Sequence, residues 1–165
     1  MSSDQSQQTD PLHVFNFLIE FGKDSLEDSS GSTGSISLCQ GAFSECSGLE
    51  ATMEPKVIKE GGRNYGDAQR AGKVTFGTVI LKRGIVSSQD LWQWFEVLTA
   101  KSGYSYRLQA TITLLDQKKN KQLEFKLQRA MPVKFKAPDL SAVSTEVGVE
   151  ELHIVHEGLE VSKAT

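Results

Sequence analysis

At 165 residues, with 38% hydrophobic content and a net charge of -3, the chain is long enough to bury the core of one folded domain. It has no apolar run of the roughly 18 to 20 residues that crosses a bilayer, and residues 1–9 lack the basic and apolar regions of a signal peptide. We therefore expect one soluble cytoplasmic unit rather than a membrane or secreted protein.

Charge is segregated along the chain. Residues 1–55 carry one Lys against nine acidic residues and residues 139–165 one against six, whereas residues 56–83 carry seven basic residues against two acidic ones and residues 101–136 nine against two. The basic middle has no Lys/Arg run longer than a pair and no aromatic ladder among its lysines, which argues against nucleic-acid binding. Solvated strand faces, or contacts between unlike patches of neighbouring copies, remain as interpretations.

The N-terminal third predicts an arm, a strand and a loop. Residues 1–10 are polar and without apolar periodicity, so we expect a flexible arm. Residues 13–21 alternate at a period of two and predict a half-buried strand. Residues 23–35 have the Ser/Gly-rich composition of a loop, and a second strand is expected at about 36–46. Cys39 and Cys46 fit neither a zinc spacing nor Cys-x-x-Cys, so reduced thiols are expected.

A long hairpin is predicted next, over residues 50–75. Pro55 in a weakly patterned stretch favours an edge or projecting arm over a central strand. The tip, residues 61–66, contains three glycines and an Asn that tolerate positive φ. No phosphate loop is indicated, because the tip lacks a strand-to-helix junction followed by Gly-Lys-Ser/Thr.

A strand and a helix follow the hairpin. Residues 73–83 predict a return strand with apolar side chains on both faces. Ser87 and Asp90 have the spacing of a capping box, and apolar residues at i, i+3, i+4 and i+7 then predict an amphipathic helix that ends near 101–103. The core is expected to include Phe15, Phe17, Phe76, Leu81, Trp94, Phe95 and Leu98.

The rest of the chain alternates as strands. Residues 104–114 have one apolar and one polar face, a turn at 116–121 closes a hairpin onto 123–127, and Pro132 interrupts the strand that continues from it. In the last strand the apolar phase changes, which predicts a bulge at about Glu150 and Glu151. The fold class is therefore mainly antiparallel β, a sandwich or partly open barrel with one flanking helix.

The sequence has few residues in arrangements typical of catalysis or metal binding. His153 and His156, three apart on a strand, point to opposite faces and cannot bind one metal together. No Gly-x-Ser-x-Gly, His-Glu-x-x-His or Gly-x-Gly-x-x-Gly motif is present. We therefore expect no catalytic residues, no metal site and no cofactor.

Two tryptophans lie close together in the predicted helix. Trp92 and Trp94 diverge by about 200° around a helix of 3.6 residues per turn, so they cannot form one flat sugar-binding platform. We expect Trp94 in the core and Trp92 at a rim or subunit contact.

Several short motifs in order resemble one family. Asp10-Pro11-x-x-x-Phe15-x-Phe17, residues 43–50, Glu60-Gly61-Gly62, residues 77–84 and Leu91-Trp-Gln-Trp-Phe95 are similar to the tail tube proteins of contractile-tailed bacteriophages and contractile injection systems. The motifs at 114–116, 130–134, 138–140 and 156–160 continue the resemblance. It covers about residues 10–160.

The resemblance implies a β-barrel-like fold with one helix, in which six copies close a ring and rings stack into a hollow tube. It implies one domain over residues 11–161 with a hairpin at about 49–73 that reaches the next ring, leaving 162–165 as a tail. The expected contacts between subunits or rings are Glu60, Gly61, Gly62, Arg63, Asn64, Tyr65, Arg70 and Trp92.

Partners and location also follow from the resemblance. The implied partners are copies of the chain itself, a surrounding sheath, baseplate or spike and tube-terminating proteins, and a payload of protein effector or DNA in the lumen. Assembly is expected in the bacterial cytoplasm, as part of a phage tail or phage-tail-like particle, with extracellular release left open.

Three alternatives remain open at this point. A tube-initiating baseplate paralogue would form one ring without growing filaments. A monomeric lectin-like module would use Trp92 and the loop at residues 61–65. A small hydrolase has little support because no nucleophile and base pair is visible.

Overall fold

The computed structural model describes Val14 and residues 16–23, 43–100 and 107–163. Within these residues, eleven strands and one helix confirm the mainly antiparallel β class. The elements are β1 (Phe17–Lys23), β2 (Glu45–Ser47), β3 (Ala51–Met53), β4 (Lys56–Ile58), β5 (Ala68–Arg70), β6 (Val74–Phe76), β7 (Val79–Gly84), α1 (Asp90–Ala100), β8 (Leu108–Leu115), β9 (Lys121–Lys136), β10 (Val149–Val155) and β11 (Gly158–Lys163).

One antiparallel sheet forms the body, in the order β1-β8-β9-β10-β7-β2. The 16-residue strand β9 organises it: its first half pairs with β8 and β11, and its second half pairs with β10. Inward-facing apolar residues of β1, β7, β8, β9 and β10 belong to one buried cluster. The sheet therefore curves around a single core rather than lying flat.

The two ends of this sheet face each other across a groove. A groove of about 560 Å³ has Phe17 of β1 and Phe125 of β9 on one side and Cys46 of β2 on the other. Within the described residues no strand joins β1 to β2, so this part of the chain forms a partly open barrel, one of the two architectures that the sequence predicts.

Helix α1 covers the core with one face. Leu91 and Trp94 are each 1% exposed, and the Trp94 ring meets the edge of Phe21 at 5.1 Å between centroids. Trp92, on the other side of the helix, is 46% exposed and lies 5.6 Å from the ring of Phe135. The apolar stripe in the sequence therefore predicts correctly which face of the helix is buried.

The return strand predicted at residues 73–83 is two strands in the structure. β6 ends at Phe76 and β7 begins at Val79, and between them the Gly77 N–H donates to the Glu50 carbonyl at 3.0 Å. Gly48 has a φ of +84°, and a Cβ there would lie 2.0 Å from the Thr78 carbonyl oxygen. The close crossing of these two segments interrupts the strand and changes its phase, so Val79, Leu81 and Arg83 point inward.

The bulge predicted at Glu150 and Glu151 is wrong in position. β10 pairs with β7 in unbroken register from Val149 to Ile154, and the irregularity lies between His153 and Ile154, opposite β9. Glu150 occupies an inward position because it pairs with the buried Arg83. A second irregularity lies in β9, where Arg129 has a φ of 50°.

The expected core residues fall into three groups. Leu81 and Trp94 are buried, and Phe17 and Leu98 are partly buried and pack against the core cluster. Phe76 and Phe95 are half-buried, Phe76 against the His156 ring at 5.2 Å between centroids. Phe15 lies outside the described residues, as do Cys39, residues 1–10 and almost all of the loop predicted at 23–35. β11 continues to Lys163, two residues past the expected domain end at 161.

Partial burial makes the Cys46 thiol a poor nucleophile. Desolvation raises the pKa of its thiol to about 11, so only about one thiol in a thousand is ionised at pH 8, against roughly a quarter for a free thiol. In a Cys39→Ser background, we expect iodoacetamide at pH 8 to modify Cys46 at least about a hundredfold more slowly in native protein than in urea-unfolded protein. Equal rates by mass spectrometry would contradict the partly buried position of Cys46.

Candidate assembly surfaces

An arm projects from one end of the body. We define it as residues 51–76, in which β3 pairs with β6 near the body and β4 pairs with β5 farther out. Neither pair is joined to the main sheet by strand pairing. At about 3.3 Å per residue, this two-stranded ribbon extends up to roughly 40 Å from its root to its tip.

The arm tip is a glycine-rich turn. The Arg63 N–H donates to the Glu60 carbonyl at 3.3 Å, and the Arg63 guanidinium lies 3.3 Å from the Glu60 carboxylate. Gly62 and Gly66 have positive φ values of 85° and 72°, which a glycine adopts without strain. Tyr65, between these turns, is 94% exposed. The tip therefore presents a large aromatic side chain to its surroundings.

No residue of the arm is buried in the subunit. Its exposed apolar side chains are Met53, Val57, Tyr65 and Val74. An isolated two-stranded ribbon is only marginally stable in water, because no second layer covers it. Exposed apolar side chains on such a ribbon indicate a surface that another molecule covers.

The arm has a constriction between its inner and outer ribbons. A Cβ on Gly72 would lie 1.9 Å from the Glu54 carbonyl oxygen, so only glycine permits this approach. The Glu54 N–H donates to the Lys73 carbonyl at 3.2 Å and ends the inner ribbon. Pro55 follows at once and has no N–H to continue the ladder.

A groove lies at the opposite end of the body. The connection between β9 and β10, residues 137–148, folds over the ends of β7, β9 and β10 and encloses a groove of about 400 Å³. Leu140, Val143 and Val147 are 90%, 93% and 76% exposed, and Ile85 is 49% exposed. Asp139 and Glu146 also line this groove. We call it the loop groove.

The outward face of the sheet is polar. Glu45 on β2, Lys82 on β7, Glu151 on β10 and Lys136 on β9 lie side by side and alternate in sign. Lys82 Nζ is 3.0 Å from Glu45 and Lys136 Nζ is 3.8 Å from Glu151. Opposite charges on neighbouring strands stabilise the pairing, and this face suits water or a polar partner.

A buried ionic cluster connects β7, β10 and α1. Arg83 is 1% exposed, and its guanidinium pairs with the carboxylates of Glu150 and Asp90. Burial by itself would raise the pKa of Asp90, but hydrogen bonds from Arg83 and Ser88 and the charge of Arg83 outweigh it and hold that pKa below its usual value. The sequence predicts Asp90 only as a capping residue. The ion pair between Arg83 and Glu150 joins residues that are 67 positions apart, so no local sequence pattern indicates it.

The two histidines take opposite faces, in the arrangement expected from their spacing. His156 is buried, and its Nδ1–H donates to the Gly158 carbonyl at 2.9 Å, whereas His153 lies on the outward face with Nε2 3.5 Å from Glu151. No group of three or more His, Cys, Asp or Glu side chains placed to hold a metal ion occurs in the described ranges. The same ranges contain no helix with the length and apolar character to cross a membrane.

The structure gathers most of the predicted contact residues in one place. Glu60, Gly61, Gly62, Arg63, Asn64 and Tyr65 form the exposed arm tip, and Arg70 lies exposed on β5 in the outer ribbon. Trp92 is separate, because it packs on α1 against Phe95 and Phe135. The loop groove is the surface that sequence reasoning missed, because Leu140, Val143 and Val147 are scattered among Ser, Asp and Glu and form neither a helix nor a strand pattern.

Comparison with known families gives one match. The model described as "T4-like virus tail tube protein gp19" matches residues 13–160. A search of curated protein sequences found no match.

Solved structures of similar fold cover nearly the whole chain. A chain in the cryo-EM structure of the anti-feeding prophage (AFP) baseplate, 6-fold symmetrised, is 25% identical with a TM-score of 0.73, over 93% of this chain and 97% of that one. A chain of the PVC extracellular contractile injection system sheath-tube complex, in the extended state, is 17% identical with a TM-score of 0.74 over 99% of both chains. A chain of the AFP tube terminating cap is 14% identical, again with a TM-score of 0.74 over 99% of both.

Proposed function

Because this chain belongs to the T4-like virus tail tube protein family, we propose that six copies of it close a ring and that the rings stack into the inner tube of a contractile injection system or phage tail. The main support for stacking is the arm, because none of the side chains in its ribbon, residues 51–76, is buried in the subunit. A contact of this kind joins two different surfaces head to tail, which builds an open filament rather than a closed dimer.

The finer parts of this function extend the same proposal. The tube passes a payload, protein effector or DNA, through its lumen, and a contractile sheath surrounds it. Subunits assemble in the bacterial cytoplasm on a baseplate and stop at a terminating protein. The role is structural rather than catalytic. The similar structures come from a sheath-tube complex, a baseplate and a tube-terminating cap, which supports these partners.

Negative-stain microscopy of purified protein tests the proposal. We expect six-fold rings, and tubes at high protein concentration. A protein that stays monomeric at every concentration, by sedimentation as well as by microscopy, would refute it.

A tube-initiating subunit is the second candidate. It has one specific observation in its favour, since the similar structure with 25% identity is that of a baseplate. Such a subunit would form single rings that do not grow into filaments at any concentration. The lectin-like alternative loses its platform, because Trp92 packs against Phe95 and Phe135.

Reversing the charge at the arm tip should weaken stacking. Arg63 forms an exposed ion pair with Glu60 of its own tip and its side chain is 47% exposed, so Arg63→Glu should change the free energy of unfolding by less than about 0.5 kcal/mol. We expect the same variant to reduce tube length and yield, measured by microscopy and pelleting. Lys118→Glu, in the exposed turn between β8 and β9, is the matched charge reversal. If Arg63→Glu lowered thermal stability as much as assembly, the result would count against a specific role of Arg63 in stacking.

A further inference from the structure

The arm and the loop groove lie at opposite ends of the same strand. The arm returns to the body just before Val79, where β7 begins. The loop groove lies beyond Gly84, where β7 ends, because the Ile85 N–H donates to the Gly148 carbonyl at 2.8 Å and both residues line the groove. A copy displaced along the direction of β7 therefore brings its arm towards the groove of its neighbour.

The outer part of the arm carries an aromatic anchor at its tip and basic residues on its ribbon. Tyr65 is 94% exposed, and Val57 of β4 is 51% exposed. Lys59 and Arg70 make no ion pair with any residue that the structure describes. Tyrosine and arginine are enriched among residues that dominate protein–protein contacts, and tyrosine buries a large surface at the cost of ordering few rotatable bonds.

The loop groove has the complementary character. Its walls are apolar at Ile85 and Val147, and Asp139 and Glu146 add negative charge without an ion-pair partner in the described part of the chain. Its volume of about 400 Å³ is within the ordinary range of binding pockets.

The groove is also held in shape by local contacts. A Cβ on Gly148 would lie 2.9 Å from the Pro138 ring, so the two ends of the loop pack closely. Ser144 Oγ accepts a hydrogen bond from the Glu146 N–H at 3.2 Å and fixes the turn between them. A preformed receptor loses little conformational entropy on binding.

We propose that the loop groove of one copy receives the arm tip of a second copy, with Tyr65 seated between Ile85 and Val147 and the arm's basic residues facing Asp139 and Glu146. This proposal rests on the function proposed above, since it assigns the receptor for the stacking arm. Charge complementarity selects the occupant, because residues 56–70 of the arm carry four basic residues against Glu60 and Asp67, whereas the groove lining carries three carboxylates against Lys136. Contact between unlike ends repeats without closing.

Substitutions on both surfaces test the contact. Tyr65→Ser should raise the protein concentration needed for tube growth by about tenfold or more, whereas Tyr65→Phe should stay within about twofold. Lys59→Glu and Glu146→Lys should each raise it several-fold. The double variant, in which the reversed tip meets the reversed groove, should recover most of the loss. Additive losses in the double variant would show that the two residues do not meet.

Cross-linking distinguishes failure of this contact from failure of the function. In a Cys39→Ser, Cys46→Ala background, chains with Tyr65→Cys are assembled with chains with Val147→Cys and oxidised. We expect a disulfide-linked dimer at least about tenfold more abundant than from a control mixture of Tyr65→Cys and Val161→Cys, since Val161 is 57% exposed on β11.

Three other outcomes would overturn the inference. Tubes with no more 65–147 dimer than the control mixture would leave the tube function intact and remove the loop groove as receptor. An internal cross-link, formed when both cysteines are placed in one diluted chain, would mean that the groove takes the arm of its own subunit. Absence of rings and tubes under all conditions would remove the proposed function and this inference together.

Discussion

Replacing residues 55–71 with a Gly-Asn-Gly turn should abolish tube growth while leaving the subunit folded. The removed residues include none that is buried, and β4 and β5 pair only with each other. Changes to exposed residues without buried partners usually alter the free energy of unfolding by no more than about 0.5 kcal/mol. The subunit should therefore lose a contact surface but not its core.

The remaining inner ribbon is already closed at this point. The Glu54 N–H donates to the Lys73 carbonyl, and Gly72 packs directly on Glu54, so a short turn joins two ends that are close together. Urea unfolding of the shortened chain should give a midpoint near that of the full chain. Microscopy should show no tubes at concentrations at which the full chain forms them. Normal tubes from the shortened chain would mean that stacking uses another surface.

Arg83→Met should destabilise the subunit by about 3–5 kcal/mol. The substitution leaves two carboxylates, those of Glu150 and Asp90, in a site where the guanidinium was 1% exposed. Removing one partner of a buried ion pair is costly because the remaining charge is neither paired nor hydrated. The neighbouring variant Lys82→Met is the control: its pair with Glu45 is partly exposed, so a change of about 0–1 kcal/mol is expected.

The effect of Arg83→Met should depend on pH. Arg83 and Ser88 lower the pKa of Asp90 in the folded state, so the resulting stabilisation is present above the unfolded pKa of about 4 and is lost as the pH falls through the folded value. The difference between wild type and Arg83→Met should be largest near neutral pH and shrink below about pH 4. Urea unfolding at a series of pH values measures it. A constant difference from pH 7 to pH 3 would contradict the role assigned to the Asp90 carboxylate.

How much the sequence predicts differs between elements. The amphipathic helix is correct to within a few residues at its start, because the apolar stripe of Leu91, Trp94 and Leu98 is a local signal. Strand alternation gives the fold class for the same reason, and the tail tube resemblance is confirmed by the family match. These features depend on residues that are near one another in the chain.

Errors occurred where distant residues decide the structure. Glu150, where the sequence predicts a bulge, lies in a regular ladder with β7 and faces inward because Arg83, 67 residues away, offers a buried partner. The break between β6 and β7 depends on the approach of Gly48 to Thr78. The loop groove could not be read locally either, since residues 137–148 acquire a shape only when Ile85 and Gly148 meet. The contact role expected for residues 60–65, Arg70 and Trp92 remains a prediction.

Strand β7 has a mechanical consequence for any stack joined by arm and groove. Its six residues separate the arm root from the loop groove by roughly 20 Å at 3.3 Å per residue. β7 is paired with β2 and β10, and the ion pairs of Arg83 fix its far end. The axial repeat of such a stack is then set by the body of each subunit, and the arm, whose ribbons are not paired with the main sheet, adjusts to twist and bending between rings. The spacing between rings in such a stack stays constant while the tube bends.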